Sequence, residues 1–180
     1  MPGARCQHCC GPRIIEVNEV WFASVVIRAE VFSTIGYLDP CYILGGFEDV
    51  DFCYRTRRAG FKVICNPHIK IIHMHQATFK RMPSTIRLWT GSANDVRFCI
   101  LNRSLRELLG IILWSLLRSR TEFSWLTRGF VTLVKWYGIL GVVCLIVKGI
   151  KRRLFNDVYI SFNLSSLHVE QLKMLCKGKL

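Results

Sequence analysis

Acidic residues are scarce in this sequence. Twelve Asp and Glu stand against 25 Lys and Arg in 180 residues, a formal charge of +13. A surplus of that size implies a polyanionic partner: phosphates, nucleic acid or the anionic face of a membrane. A disulfide framework is also missing. The nine cysteines are odd in number, and Cys41, Cys53, Cys65, Cys99, Cys144 and Cys176 are scattered through apolar stretches, which reads as reduced, mostly buried thiols. Cys6, His8, Cys9 and Cys10 could hold zinc on paper, but no second ligand pair follows at a structural-site distance, so residues 1–19 are read as a poorly ordered start. Met1 to Pro12 lacks the apolar run of a signal peptide, and nothing there sends the chain outward. No internal repeat or low-complexity tract occurs. Nor is there an uncharged stretch of the roughly 20 residues a bilayer span takes, since Lys135 and Lys148 leave only Trp136 to Val147 free of charge.

What is present suffices for one packed domain with extra helical material. Apolar residues make up 51% of the chain and charged ones 21%, which excludes intrinsic disorder. Residues 20–27 form an aromatic and β-branched run of strand length, placed in a buried sheet. Arg28 to Ile35 reads as a short helix closed by Gly36. Turn chemistry follows at Leu38-Asp39-Pro40 and at Gly45-Gly46. Asp51 to Ala59 reads as a second helix, with Asp51 capping its first amides, Asp51 and Arg55 four apart, and Gly60 ending it. Phe61 to Cys65 alternates as a strand does, Asn66-Pro67 breaks it, and Ile69 to His75 alternates again with His73 and His75 on one face. The order predicts an α/β domain. From about residue 97 long apolar stretches edged by Arg and Lys take over, Leu108 to Leu117 and Phe130 to Ile150. An interfacial, partly inserted helix pair fits them, with Trp114, Trp125, Trp136 and Tyr137 as interface anchors and the basic side chains reaching for phosphates. A buried hairpin closing the soluble domain and a single span are the alternatives.

The chemistry concentrates in Gly45-Gly46-Phe47-Glu48-Asp49-Val50-Asp51-Phe52-Cys53-Tyr54-Arg55. Three carboxylates crowd a glycine-rich turn directly before a helix. Like charges so close persist only where a helix N-terminus, a cation or a substrate relieves them, and such crowding favours a group able to act as a base. A carboxylate presented ahead of a rigid helix can reach a hydroxyl whose proton it takes. The plainer alternative makes Asp51 an N-cap and Glu48-Asp49 a solvated turn.

Several ordered motifs surround that turn. Ala23-Ser24-Val25-Val26-Ile27-Arg28-Ala29-Glu30-Val31-Phe32, Ile35-Gly36-Tyr37-Leu38-Asp39, the acidic turn, Ala59-Gly60-Phe61-Lys62-Val63, Pro67 and His73 together resemble family 2 glycosyltransferases of the rhamnosyltransferase-like kind, over roughly residues 20–105. The resemblance implies a partial GT-A fold, the acceptor-side part of an inverting transferase. It implies that Asp49 is the catalytic base for the acceptor hydroxyl, with Glu48 orienting the acceptor or the loop. Asp51 and Arg55 then fall on the acid and the arginine of the following helix, in a capping and structural role. His73 matches a histidine that approaches the metal and diphosphate, and His75 is a weaker second candidate on the same face. A divalent metal, Mn or Mg, is implied by the resemblance alone. Leu101-Asn102-Arg103 looks like the Arg-Asn pair that opens the post-catalytic helices, in reversed order.

The departures carry weight too. Family members begin with a nucleotide-binding half of about 100 residues ending in Asp-x-Asp, and nothing upstream of Val20 supplies it, so a separate donor-binding polypeptide is implied or the donor site is absent. The expected organisation is a start at 1–19, the acceptor-side GT-A part at 20–96, basic apolar membrane-associated helices at 97–153 and a tail at 154–180. The expected activity is transfer of a sugar from a nucleotide-sugar donor to a saccharide or lipid-linked acceptor in surface polysaccharide synthesis, at the inner, cytoplasmic face of the cell membrane, peripheral or partly inserted. The alternative is a truncated, non-catalytic relative that binds a membrane or a partner. Nucleic acid is not expected as a partner, because the basic residues lie among membrane-like stretches and no recognition motif appears.

Overall fold

The computed structural model describes residues 13–69, 71, 82–118 and 120–155. In chain order the elements are β1 (Ile15–Glu16), α1 (Ala29–Ile35), α2 (Glu48–Arg58), β2 (Ile64–Cys65), α3 (Ser84–Asn102), α4 (Leu105–Arg118) and α5 (Arg120–Phe155). The two strands pair antiparallel, Ile15 with Cys65 and Glu16 with Ile64, and the Val17 amide extends the ribbon by donating to the Val63 carbonyl at 2.9 Å.

Among the described residues the molecule is mostly helical, with two short strands and one long apolar helix; the expected helices after the acidic turn are present, the α/β mixture is met only loosely, and no GT-A sheet occurs among the described residues. The run at 20–27 does not form a strand. It turns at residues 22–24, and this delivers Phe22 edge-on to Phe52 at 5.6 Å between ring centres. Phe22 and Ile27 pack against a small core of Val31, Ile35 and Phe52, while Val26 stays 97% exposed. Burying two large side chains on the α1–α2 layer outweighs strand formation where no neighbouring strand is there to receive the backbone groups. Ile69 and Ile71 are likewise outside any strand, and the rest of the predicted 69–75 strand lies outside the described residues.

The helix ends follow local chemistry. Gly36 closes α1 with φ 73° and its amide on the Phe32 carbonyl at 2.9 Å, a conformation that glycine adopts without penalty. Before α4 the pair Ser104 and Glu107 forms a reciprocal capping box: the Ser104 amide donates to Glu107 Oε2 at 2.8 Å, and the Glu107 amide donates to Ser104 Oγ at 3.2 Å. The predicted apolar segments 108–117 and 130–150 fall within α4 and α5.

A second, larger core joins α3 to α5. Ala93, Val96, Ile100 and Leu101 meet Leu133, Val142 and Leu145, with Ile43 from the loop before α2. Close approach rests on two glycines. A Cβ at Gly129 would strike Val96 and the Ser92 carbonyl, and one at Gly149 would strike the Ile100 carbonyl. These contacts fix the shape of α5. On a straight helix Gly129 and Gly149 would lie about 30 Å apart, yet they touch residues of α3 only one to two turns apart, about 6–12 Å. The helix must fold back, and it does so at Gly138, whose φ of 69° and ψ of 170° break the helix. By length and composition Ser124–Leu154 is apolar enough to cross a membrane, so α5 is fit for membrane association. It is nonetheless a folded pair, 120–137 and 139–155, clasping α3.

Two substitutions test that geometry. Gly138→Ala forces a side chain into a backbone region that is essentially glycine's alone, at a cost of about 1–3 kcal/mol. Gly149→Leu drives a side chain into the α3 backbone and costs about 1–3 kcal/mol or more. Both lower the midpoint of thermal or urea unfolding followed by circular dichroism, whereas Gly110→Ala, where a Cβ meets nothing within 4 Å, leaves it unchanged or raises it.

Candidate functional site

The acidic turn is held in a conformation that no ordinary turn adopts. Leu44, Gly45, Gly46 and Phe47 all have positive φ, 53°, 81°, 91° and 71°, and at Leu44 and Phe47 the left-handed backbone costs roughly 1–3 kcal/mol each. Asn94 of α3 offsets that cost. Its Oδ1 accepts from the Ile43 amide at 2.8 Å, and its Nδ2 donates to the carbonyls of Ile43, Gly45 and Gly46 at 2.9, 3.0 and 3.0 Å. One fully buried amide thus satisfies both sides of the turn and fixes where α2 begins.

That start is at Glu48, three residues earlier than the sequence suggests, with Phe47 as N-cap and no side-chain cap bond. Glu48, Asp49 and Asp51 all fall in the first turn, where the free amides and the helix dipole favour negative charge. Their environments differ. Asp49 is half-buried, and its Oδ1 accepts from the Val50 amide at 2.9 Å. Glu48 is half-buried with its Oε2 enclosed and without a hydrogen-bond donor among the described residues. Asp51 is fully enclosed.

The capping role expected of Asp51 is corrected. Its carboxylate faces inward: Oδ2 accepts from Arg55 Nε at 2.8 Å, Oδ1 accepts from Asn102 Nδ2 at 2.8 Å, and Arg152 Nη1 lies 3.5 Å from Oδ1. Arg55 keeps the predicted structural role, donating onward to the carbonyls of Ile35 at 2.7 Å and Tyr37 at 3.0 Å. Asn102 Oδ1 accepts from Arg152 Nη1 at 2.8 Å. This buried group therefore ties α1, α2, the end of α3 and the last turn of α5 together.

A second buried pair stands behind the turn. Arg97 donates to Asp39 at 2.5 Å, with both side chains almost fully enclosed, and its guanidinium lies over the rings of Tyr42 and Tyr137 at 5.4 and 5.7 Å. The Tyr137 hydroxyl donates to the Cys41 carbonyl. Burial pushes the thiol of Cys41 up to about 11, helped by the charge of Asp39, and that of Cys99 up to about 12. Neither is a nucleophile near neutrality. The expectation of reduced, buried thiols holds for Cys41, Cys53 and Cys99 in part or in full, but Cys144 is exposed, and Cys65 is disulfide-bonded. Cys65 ends a strand at the ribbon's margin, where it is not enclosed by core.

His73 and His75, like Cys6, His8, Cys9 and Cys10, lie outside the described residues, so the pairing of Asp49 with His73 is not displayed. Among the described residues no three His, Cys, Asp or Glu side chains gather as a metal site. Asp51 is spent on two arginines and an amide. Glu48 and Asp49 remain, and a magnesium-like ion usually takes one or two carboxylates beside waters and substrate phosphates, so among the described residues these two would hold one.

Two hollows lie beside α4. One, of about 440 Å³, is lined by Arg103, Glu107, Ile111 and Trp114. Its neighbour, of about 320 Å³, adds Asp95, Cys99 and Trp125. Glu48 and Asp49 line neither. Rings connect the turn to this region: Phe47 packs on Phe98 at 5.8 Å, and Arg103 lies over Phe98 at 5.8 Å. Asn94, Arg97 and Arg152 carry no signal as site residues in the sequence. Each has its partner about 50 or more positions away.

No known family profile matches the chain, and no solved structure does. It is similar to the uncharacterized protein y4gI of Sinorhizobium fredii (strain NBRC 101917 / NGR234), 27% identical over 78 residues that make up 43% of this chain and 9% of that protein. The chain therefore spans a small part of the length of the relative it matches.

The differing environments of the carboxylates separate by mutation. Asp51→Asn leaves two buried arginines without their counter-charge and destabilises by about 3–5 kcal/mol, while Asp49→Asn stays within about 0.5–1 kcal/mol of the parent, both read from urea unfolding. Asp95 gives a pH test. Burial raises its carboxyl above the ordinary range, with hydrogen bonds from Cys99 and Trp125 and the charge of Arg103 opposing. A raised carboxyl binds its proton more tightly folded than unfolded, so stability is lost as pH rises through its folded value. Asp95→Asn accordingly raises the unfolding midpoint at pH 7, and the gain shrinks toward zero as pH falls to about 4, near the value of an unperturbed aspartate.

Proposed function

We propose that this chain is the acceptor-side, base-bearing part of an inverting family 2-like glycosyltransferase, working peripherally at the cytoplasmic face of a membrane. The observation that carries this reading is the division of labour within one helical turn. Asp51 is consumed by structure, while Asp49 is held at the start of a rigid helix with one oxygen left for other partners, on a strained turn that Asn94 fixes. Strain kept in place by a buried amide suits a group that must be positioned rather than merely solvated.

In the reaction, an acceptor hydroxyl attacks the anomeric carbon of a nucleotide sugar. The bond from that carbon to the diphosphate oxygen breaks, the proton passes to Asp49, and the nucleoside diphosphate leaves. Glu48, with an enclosed oxygen lacking a donor, would accept a hydrogen bond from the acceptor and orient it. A divalent ion, where the complete enzyme holds one, would neutralise the leaving diphosphate. The acceptor would be a saccharide, or one linked to lipid, since the base-bearing layer sits on a basic, apolar helix pair.

A second reading is favoured by the small β content: with only the two-stranded β1–β2 ribbon among the described residues and no larger sheet there to cradle a nucleotide, a non-catalytic relative that binds a membrane or a partner accounts for the same features. Titration with a sugar nucleotide and manganese, together with release of nucleoside diphosphate in the presence of saccharide acceptors, separates the two. Turnover that falls about 10²- to 10⁴-fold in Asp49→Asn supports the transferase. Neither binding nor release, with or without a donor-binding partner, leaves the non-catalytic reading.

A further inference from the structure

The folded α5 leaves a long apolar surface without a protein neighbour. In its second half Ile139 and Leu140, 71% and 81% exposed, follow directly on the Gly138 break and form the tip of the fold. From Leu140 a stripe at helical spacing continues through Val143, Cys144 and Val147, all exposed. The opposite face of the same half carries Val142, Leu145 and Gly149, which are buried on α3. In α4 another stripe, Leu105, Leu109, Leu113 and Leu117, is 58–77% exposed. Apolar surface on this scale is not left in water by a stable monomer.

Charge identifies what covers it. Within 120–155 the sequence has one acid, Glu122, against seven basic residues, Arg120, Arg128, Lys135, Lys148, Lys151, Arg152 and Arg153. Arg152 is turned inward to Asp51, but Lys135, Lys148 and Lys151 are exposed beside the apolar stripe. A protein groove that matched this face would have to be apolar and acidic over two helical halves. An anionic bilayer surface offers both properties at once: acyl chains for the stripe and phosphates for the flanking lysines. Spanning is disfavoured by length, because each half of the fold rises only about 25–27 Å against a hydrocarbon core of about 30 Å, and by the buried polar contacts that hold both halves to α3.

We propose that the folded α5 is a lipid-docking device that lies in the interface of an anionic membrane, with Ile139 and Leu140 at its tip and the Leu140–Cys144–Val147 stripe immersed, rather than a span. This deepens the peripheral placement proposed above. It rests on that placement and on no catalytic assignment.

Cys144 serves as a built-in reporter. The full chain is mixed with phosphatidylcholine vesicles containing phosphatidylglycerol, or with pure phosphatidylcholine, and Cys144 alkylation by a water-soluble maleimide is followed by peptide mass spectrometry. The expected result is co-sedimentation with the anionic vesicles only, alkylation slowed tenfold or more there, release by alkaline carbonate without detergent, and affinity weakened about tenfold or more in Leu140→Asp, whose exposed position leaves folding intact. Four outcomes overturn the proposal: no sedimentation with anionic lipid, sedimentation with Cys144 alkylated at its solution rate, retention through carbonate, or protection that grows with protein concentration in the absence of lipid, which would assign the face to a second copy. The first and the third of these also remove the peripheral placement. None touches Asp49, which is assayed by nucleoside diphosphate release.

Discussion

Asp51 has no solvent exposure and is the point at which four parts of the chain meet. A buried carboxylate is costly unless its charge and its lone pairs are all answered. Here Arg55 answers from the same helix, Asn102 from the end of α3 and Arg152 from the last turn of α5. The apolar clusters lie on either side of this group rather than across it, one around Phe52 and one between α3 and α5. Hydrophobic burial holds each layer together. Alignment of the layers falls to directional bonds, which tolerate little sliding, and the small α1–α2 layer is thereby kept in register with helices that are distant in sequence.

The same division explains the turn before α2. Apolar contact alone would not hold Leu44 and Phe47 at positive φ, since those residues relax to commoner backbone at no loss of burial. Asn94 prevents it by meeting three carbonyls and one amide of the turn, and the Arg97–Asp39 pair backs the segment just before it. Strain at the carboxylates is therefore balanced by polar contacts placed on α3, the element most firmly seated on α5.

Much of the local structure was legible in the sequence. Gly36 and Gly60 mark the ends of α1 and α2 because a left-handed residue is needed there, and the four-residue spacing of Asp51 and Arg55 announces a helical pair. The apolar segments of α4 and α5 stand out by composition. The sheet was misread for a physical reason: residues 20–27 have strand propensity, but propensity expresses packing against neighbouring strands, and in their absence Phe22 and Ile27 go to the aromatic cluster instead. Asp51 was read as a cap because a cap is a local device, whereas its true partners Asn102 and Arg152 are 51 and 101 positions away. Asn94 and Arg97 gave no sign for the same reason. In the site, the placement of Glu48 and Asp49 ahead of a helix was readable from Gly45-Gly46 and the acids that follow. The residues that hold them there were not.

The break at Gly138 also bears on sidedness. A helix that doubles back returns its chain to the side from which it came, so the residues before Arg120 and those at Phe155 face the same way. Within 120–155, a bend that entered lipid would make an even number of crossings. The carboxylates of α2 and the lysines near the end of α5 would then lie on one side of a bilayer, whereas a hydropathy profile that counts Ser124–Leu154 as one crossing would put them on opposite sides.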